Sequence, residues 1–188
     1  MPDGYTYRVR QFVQAVGSWF LTEDADDLVL DYLPPEAATL FRAMPHHDRR
    51  HALRVLHTLQ ARGTADPDLV AAALLHDVGK SGQPPDQRLE KCEPGRKAGR
   101  VRLWHRVATV LMRATWPGLL ERIGKDGRPT NWRYPFYVQL HHAAIGALLA
   151  EQAGCSPRAA ELIRQHEDQA AMAGDPLLAA LQGADNQS

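Results

Sequence analysis

His76 and Asp77 close the apolar run Leu69, Val70, Ala71, Ala72, Ala73, Leu74, Leu75 and are followed by Val78, Gly79 and Lys80. A lone carboxylate in such surroundings costs several kcal/mol, or shifts its pKa until it is neutral. A metal ion removes that penalty, because it is a local charge that an imidazole and a carboxylate can both bind. Metal coordination is therefore the first chemistry that these two residues suggest.

Metal sites are constellations, so other His and acidic residues on inward helix faces matter. At helical spacing, His51 borders a face made by Ala52, Val55, Leu56 and Leu59. His142 has Val138 one turn before it and Ile145 and Gly146 one turn after, and His166 follows Ala159, Leu162 and Ile163. Asp185 continues the face of Leu177, Leu178 and Leu181. Taken singly, each is an ordinary hydrogen-bonded core histidine or a charge at a frayed helix end. The whole set of His51, His76, Asp77, His142, His166 and Asp185 is harder to explain that way. His141 points about 100° away from His142, so it is expected at the surface or behind the ligands. His47 reads as a local cap or a solvated ring, and His57 and His105 have no place in the constellation. Glu167 and Asp168 read equally as exposed helix-end charges or as groups holding water or a further metal.

The elements that must position these groups are helical almost throughout. Short helices are expected over 8–16, 24–32 and 35–44, with Pro34 and Pro35 separating the last two. A longer helix over 48–61 stops at Gly63, and Asp66 and Pro67 open the buried helix that ends near Asp77, with Gly79 as its stop. The polar stretch from Ser81 to Arg100 reads as a loop or mobile insert. Helices then follow over 101–115, 117–123, 134–152, 157–169 and 176–185, with Ser156 and Asp175 as N-caps. No strand alternation, internal repeat or interdomain linker competes with an all-α single domain.

The order His51, His76-Asp77, His142, His166, Asp185 resembles the HD superfamily of metal-dependent phosphohydrolases. The stretches that carry the resemblance are HALRV from His51, LLHDVGK ending at Lys80, HAAIGALL from His142, ELIRQH ending at His166 and LQGAD ending at Asp185. HDVGK is specific, and the others are short but stand in the family's order. The resemblance implies an all-α HD-domain helical bundle over 1–188, with a core from about 48 to 185 and N-terminal helices over 8–44 packed on it. It implies that His51, His76, Asp77 and Asp185 bind one metal, with His142 and His166 as the added ligands of a two-metal branch and Asp77 bridging. Lys80 would set its ammonium against a phosphate oxygen, so Asp77 and Lys80 are the candidate catalytic residues.

Imidazole and carboxylate donors suit one or two divalent transition metal ions, Fe, Mn, Co, Ni or Zn, better than magnesium. Two such ions deprotonate a bridging water and stabilise an in-line transition state, with hydroxide as the nucleophile. The expected activity is hydrolysis of a small phosphoester or nucleotide. The alternatives are a di-iron oxygenase of the same fold, which would use the same ligands, and a non-catalytic HD-fold sensor. No Gly-Tyr-Pro motif of the cyclic-dinucleotide phosphodiesterase branch occurs.

Composition bounds the partners. The chain has 188 residues, 44% of them hydrophobic, enough for one sizeable core. Its 22 basic residues balance 22 acidic ones, so no global field draws it to nucleic acid or an anionic membrane. The basic segment 88–113 could close over a phosphorylated substrate, although a solvated surface is the simpler reading. Among the aromatics, Trp132 and Tyr134 are the first candidates to border a pocket. Cys92 and Cys155 form no CxxC pattern and read as reduced structural thiols. With no basic leader followed by an apolar stretch and no apolar run of spanning length, a cytoplasmic protein that touches no membrane is expected.

Overall fold

The computed structural model describes residues 29, 32–64, 66–81, 103–125, 127–128, 131–168 and 170–188. Most of the helices expected over 8–16 and 24–32, Cys92, and the expected loop with its basic residues from 88 to 102 lie outside these. The described residues form an all-α fold without strands. In chain order the helices are α1 Pro35–Ala43, α2 His46–Ala61, α3 Pro67–Leu75, α4 Leu103–Thr115, α5 Pro117–Ile123, α6 Tyr134–Gln152, α7 Pro157–Gln165 and α8 Pro176–Asp185. Short 3-10 turns, Val78–Ser81 and Ala171–Gly174, precede α4 and α8.

α3 is the axis of the core. All residues from Leu69 to Leu75 are buried, and the helix packs against α1, α2, α7 and α8. Its leucines, almost wholly withdrawn from water, each contribute roughly 1.5–3 kcal/mol of burial. Asp66 fixes its start by accepting hydrogen bonds from the backbone N–H groups of Asp68 and Leu69, each at 3.0 Å. Ser156 caps α7 and Asp175 caps α8 in the same way, as the sequence suggests. The buried helix ends slightly earlier than expected, at Leu75, so that His76 is its C-cap and the chain turns into the 3-10 segment at Val78. α7 likewise ends at Gln165 with His166 as C-cap, short of the expected 169.

α6 lies across α7, the Val78–Ser81 turn, α4 and α5. What brings the turn onto α6 is a backbone-to-backbone contact of two glycines. A Cβ on Gly79 would overlap the carbonyl oxygen of His142 and stand 2.9 Å from the backbone nitrogen of Gly146. One on Gly146 would stand 3.3 Å from the Gly79 nitrogen and 3.3 Å from Ile163 Cγ2. The absent side chains let the turn after Asp77 sit directly on the helix that carries His142. No described helix is long and apolar enough to cross a membrane.

Gly79→Ala is expected to cost about 1–3 kcal/mol through overpacking and to lower Tm by several degrees in a thermal melt. Gly118→Ala in α5, where a Cβ would meet nothing within 4 Å, should leave Tm unchanged or raise it slightly. Equal melting of Gly79→Ala and the unsubstituted chain would remove the close approach from the account.

Candidate metal centre

Asp77 is buried at the end of α3, with 5% of its surface exposed. Its Oδ1 lies 3.7 Å from Nε2 of His76, 3.8 Å from Nε2 of His142, 3.9 Å from Nε2 of His166 and 2.7 Å from Lys80 Nζ. Those residues come from the end of α3, the middle of α6, the end of α7 and the 3-10 turn.

Each of the three imidazoles is turned by the same device. His76 Nδ1 contacts the carbonyl of Ala73 at 3.0 Å, His142 Nδ1 that of Gln139 at 3.0 Å, and His166 Nδ1 that of Ile163 at 2.7 Å. A carbonyl only accepts, so each Nδ1 carries a proton, and in the neutral ring Nε2 is left with a lone pair aimed inward. This is the arrangement in which backbone groups orient metal-binding histidines. The rings meet edge to face, His76 to His166 at 5.3 Å and His142 to His166 at 5.2 Å between centroids.

On the other side of His76 stands a second pair. His51 on α2 and Asp185 at the end of α8 are hydrogen-bonded, Nε2 to Oδ1, at 2.7 Å, and Asp185 Oδ1 lies 3.5 Å from His76 Nε2. α8 is held to α2 by Arg54, whose Nε donates to the Ser188 carbonyl at 3.1 Å, and by Arg62, whose guanidinium reaches Gln187 Oε1 at 2.6 Å. Ligand atoms of His51, His76 and Asp77 lie within 4.8 Å of one another, and so do those of Asp77, His142 and His166. Two donors, each about 2.1 Å from one ion, sit roughly 3–3.5 Å apart, so small side-chain shifts would let either group hold a cation. Asp77 belongs to both groups.

The Nε2 atoms of His76 and His142 are buried and make no hydrogen bond. Buried polar atoms without partners are uncommon in folded proteins, and a cation satisfies both. The residues present therefore fit a metal ion, and the set of nitrogen and carboxylate donors without thiolate fits a divalent transition metal.

Electrostatics point the same way. Burial pushes the His142 imidazole down to about 3, with Lys80 adding to the effect, and burial together with His76 lowers His166. Both rings are thus neutral and ready to ligate. For His76, burial opposes the charged ring, but Asp77 and Asp185 outweigh it and hold the imidazole above its ordinary value. Burial alone would raise Asp77, yet His76 and Lys80 keep it far below the usual carboxylate range. Asp185 is likewise lowered against burial by His51 and His76.

Other expectations resolve plainly. His141 is exposed and lies tilted on Tyr137 at 4.5 Å, while His142 is buried. His47 is 65% exposed and contacts Asp48 at 3.2 Å, away from a ligand role. His105 is buried with its edge on Phe136. Tyr134 belongs to the interior, at 1% exposure, whereas Trp132 is exposed beneath the Arg133 guanidinium. Cys155 is half-buried and its thiol is pushed up to about 11 by burial, as suits a structural residue. Lys80 is not turned out to water but pairs with Asp77.

Gln182 is the residue that sequence reasoning missed. It is buried on α8, one turn before Asp185, and its Nε2 donates to the carbonyls of Gln165 at 3.2 Å and Asp168 at 2.8 Å, on both sides of His166. Its position four residues after Leu178 was the available signal, a polar residue on an inward stripe.

No family model, curated protein or solved structure matches the chain.

Because Asp77 and Asp185 hold the His76 imidazole above its ordinary value and the ring must be neutral at Nε2 to ligate, metal uptake should release protons wherever that ring is charged. Affinity for Mn2+ should then rise with pH through and above 6.5, by up to about tenfold per unit, and level off once the ring is neutral. Calorimetric titrations at pH 6 and pH 8, in buffers of different ionisation enthalpy, read both quantities. Binding equal at both pH values with no proton release would contradict this protonation scheme.

Proposed function

We propose that the chain is a metal-dependent phosphohydrolase of the HD type that acts on a small phosphoester or nucleotide. One observation carries the reading. Asp77, in the HDVGK stretch, lies within 3.9 Å of three imidazole Nε2 atoms drawn from three separate helix positions, with the His51–Asp185 pair on the far side of His76. The residues that resemble the HD ligand order along the chain are thus neighbours in space.

Bound divalent ions would supply Lewis-acid polarisation of a phosphoryl group and an acidified water. The remaining work falls to the chain's own side chains. His142 and His166, neutral because they are buried, offer lone pairs rather than protons. Asp77 contributes negative charge shared between the two donor groups. Lys80 stands 2.7 Å from Asp77 Oδ1 and retains partial exposure, so its ammonium can donate a charge-assisted hydrogen bond to a phosphate oxygen where substrate enters. His51 Nε2 and Asp185 Oδ1 stand 2.7 Å apart at the edge of the cluster. The apolar wall of α3 behind Asp77 keeps bulk water from the carboxylate and strengthens every interaction in front of it.

Phosphate release from a panel of nucleotides and phosphomonoesters, with Mn2+ added and then removed by chelation, tests the reading. Turnover should depend on metal. Asp77→Asn should lower kcat by at least about a hundredfold. Lys80→Met should lower kcat/KM by about ten- to a hundredfold, the worth of one charge-assisted hydrogen bond. Absence of metal-dependent phosphate release across the panel would overturn the proposal.

A further inference from the structure

The two donor groups that share Asp77 are not equally furnished by the residues so far considered. The first has His51, His76 and, through them, the private carboxylate of Asp185. The second has His142 and His166 but no carboxylate of its own. Glu167 stands where one is missing. Its Oε1 lies 3.5 Å from Nε2 of His142, the same separation that Asp185 keeps from Nε2 of His76.

That contact has an unusual character. His142 Nδ1 donates to the Gln139 carbonyl, so its Nε2 carries a lone pair, and Nε2 is buried without a hydrogen bond. A carboxylate oxygen and an imidazole lone pair therefore face each other, two acceptors with no proton between them. A cation is the group that turns this repulsion into a bond on both sides.

The turn that presents Glu167 is also braced on each flank. Gln182 donates to the carbonyls of Gln165 and Asp168, and the Asp168 carboxylate accepts from the backbone N–H of Ala170 at 2.9 Å. Glu151 and Glu161, on the same side of the fold, both pair with Arg164 on the surface. Glu167 is 42% exposed, so it approaches from the solvent side while His142 and His166 approach from the interior.

From this geometry we infer that Glu167 is a ligand of a second divalent transition metal ion, together with Asp77, His142 and His166. Each ion then has two imidazoles, one carboxylate of its own and a share of Asp77. The inference rests on the metal-centre reading above and adds to it a residue at a position that the HD-like ligand order leaves out. It also makes the second ion the more accessible one, since its private carboxylate is the exposed member of the set.

Titration of the full chain with Mn2+ by calorimetry, alongside electron paramagnetic resonance for the spin-coupled signal of a manganese pair, tests this directly. The unsubstituted chain should take up two equivalents and show the coupled signal. Glu167→Gln should bind the first equivalent with unchanged affinity, bind the second at least about tenfold more weakly, and lose the coupled signal when two equivalents are added. The metal-free Tm of Glu167→Gln, read alongside, separates a loss of ligation from a loss of folding. Glu161→Gln should behave as the unsubstituted chain. Two unaltered binding steps in Glu167→Gln would overturn the inference and leave the metal centre standing. Uptake of a single ion by the unsubstituted chain would overturn it as well, and uptake of none would overturn the metal centre too.

Discussion

A carboxylate held at the end of a buried apolar helix is the constraint from which the rest of this structure follows. Asp77 cannot stay ionised there on its own, and three imidazoles and an ammonium gather round its Oδ1. Without a cation, Lys80 and His76 hold the Asp77 carboxyl below its usual range, and Asp77 in turn raises the His76 imidazole. That balance is costly in lone pairs. Nε2 of His142 faces carboxylate oxygens of Asp77 and Glu167 and shares a proton with neither. A cation held between these groups would satisfy those lone pairs, and their geometry could hold one.

The helices serve this cluster through one repeated local motif. His76, His142 and His166 each fold Nδ1 back onto the carbonyl three residues earlier. For His76 and His166, at C-caps, the same contact occupies a carbonyl that the helix end leaves without an intrahelical partner. The ring orientation is therefore a by-product of ending the helix there. Long-range placement needs other devices: the Gly79–Gly146 approach sets the α3 end against α6, and Gln182 ties the α7 end to α8. Arg54 and Arg62 hold the end of α8 on α2, which sets Asp185 opposite His51.

Much of this was readable from residue order. Proline and N-cap chemistry place the starts of α3, α7 and α8, because those signals act over a few residues and need no tertiary context. Helical periodicity separates buried His142 from exposed His141 for the same reason. The less legible parts are those that depend on packing between elements. At the end of α7, Gln182 reaches the carbonyls of Gln165 and, beyond the helix, Asp168 from another helix, and nothing in residues 157–169 shows that. For Glu167 the sequence leaves a helix-end charge and a metal- or water-holding group equally open, and only the fold sets its oxygen 3.5 Å from Nε2 of His142. Lys80 similarly gives no hint in sequence of whether it faces water or Asp77. Tyr134 and Trp132 are near neighbours in a proline-bounded stretch, yet only the packing around α6 separates the buried ring from the exposed one.

The central claim is that these imidazoles and carboxylates converge on cations. Anomalous scattering from crystals of the full chain grown with Mn2+ measures it most directly. The account predicts two peaks about 3.5–4 Å apart, bridged by Asp77, one beside His51, His76 and Asp185 and the other beside His142 and His166. Crystals soaked to saturation with no anomalous peak within bonding distance of Asp77 would contradict it.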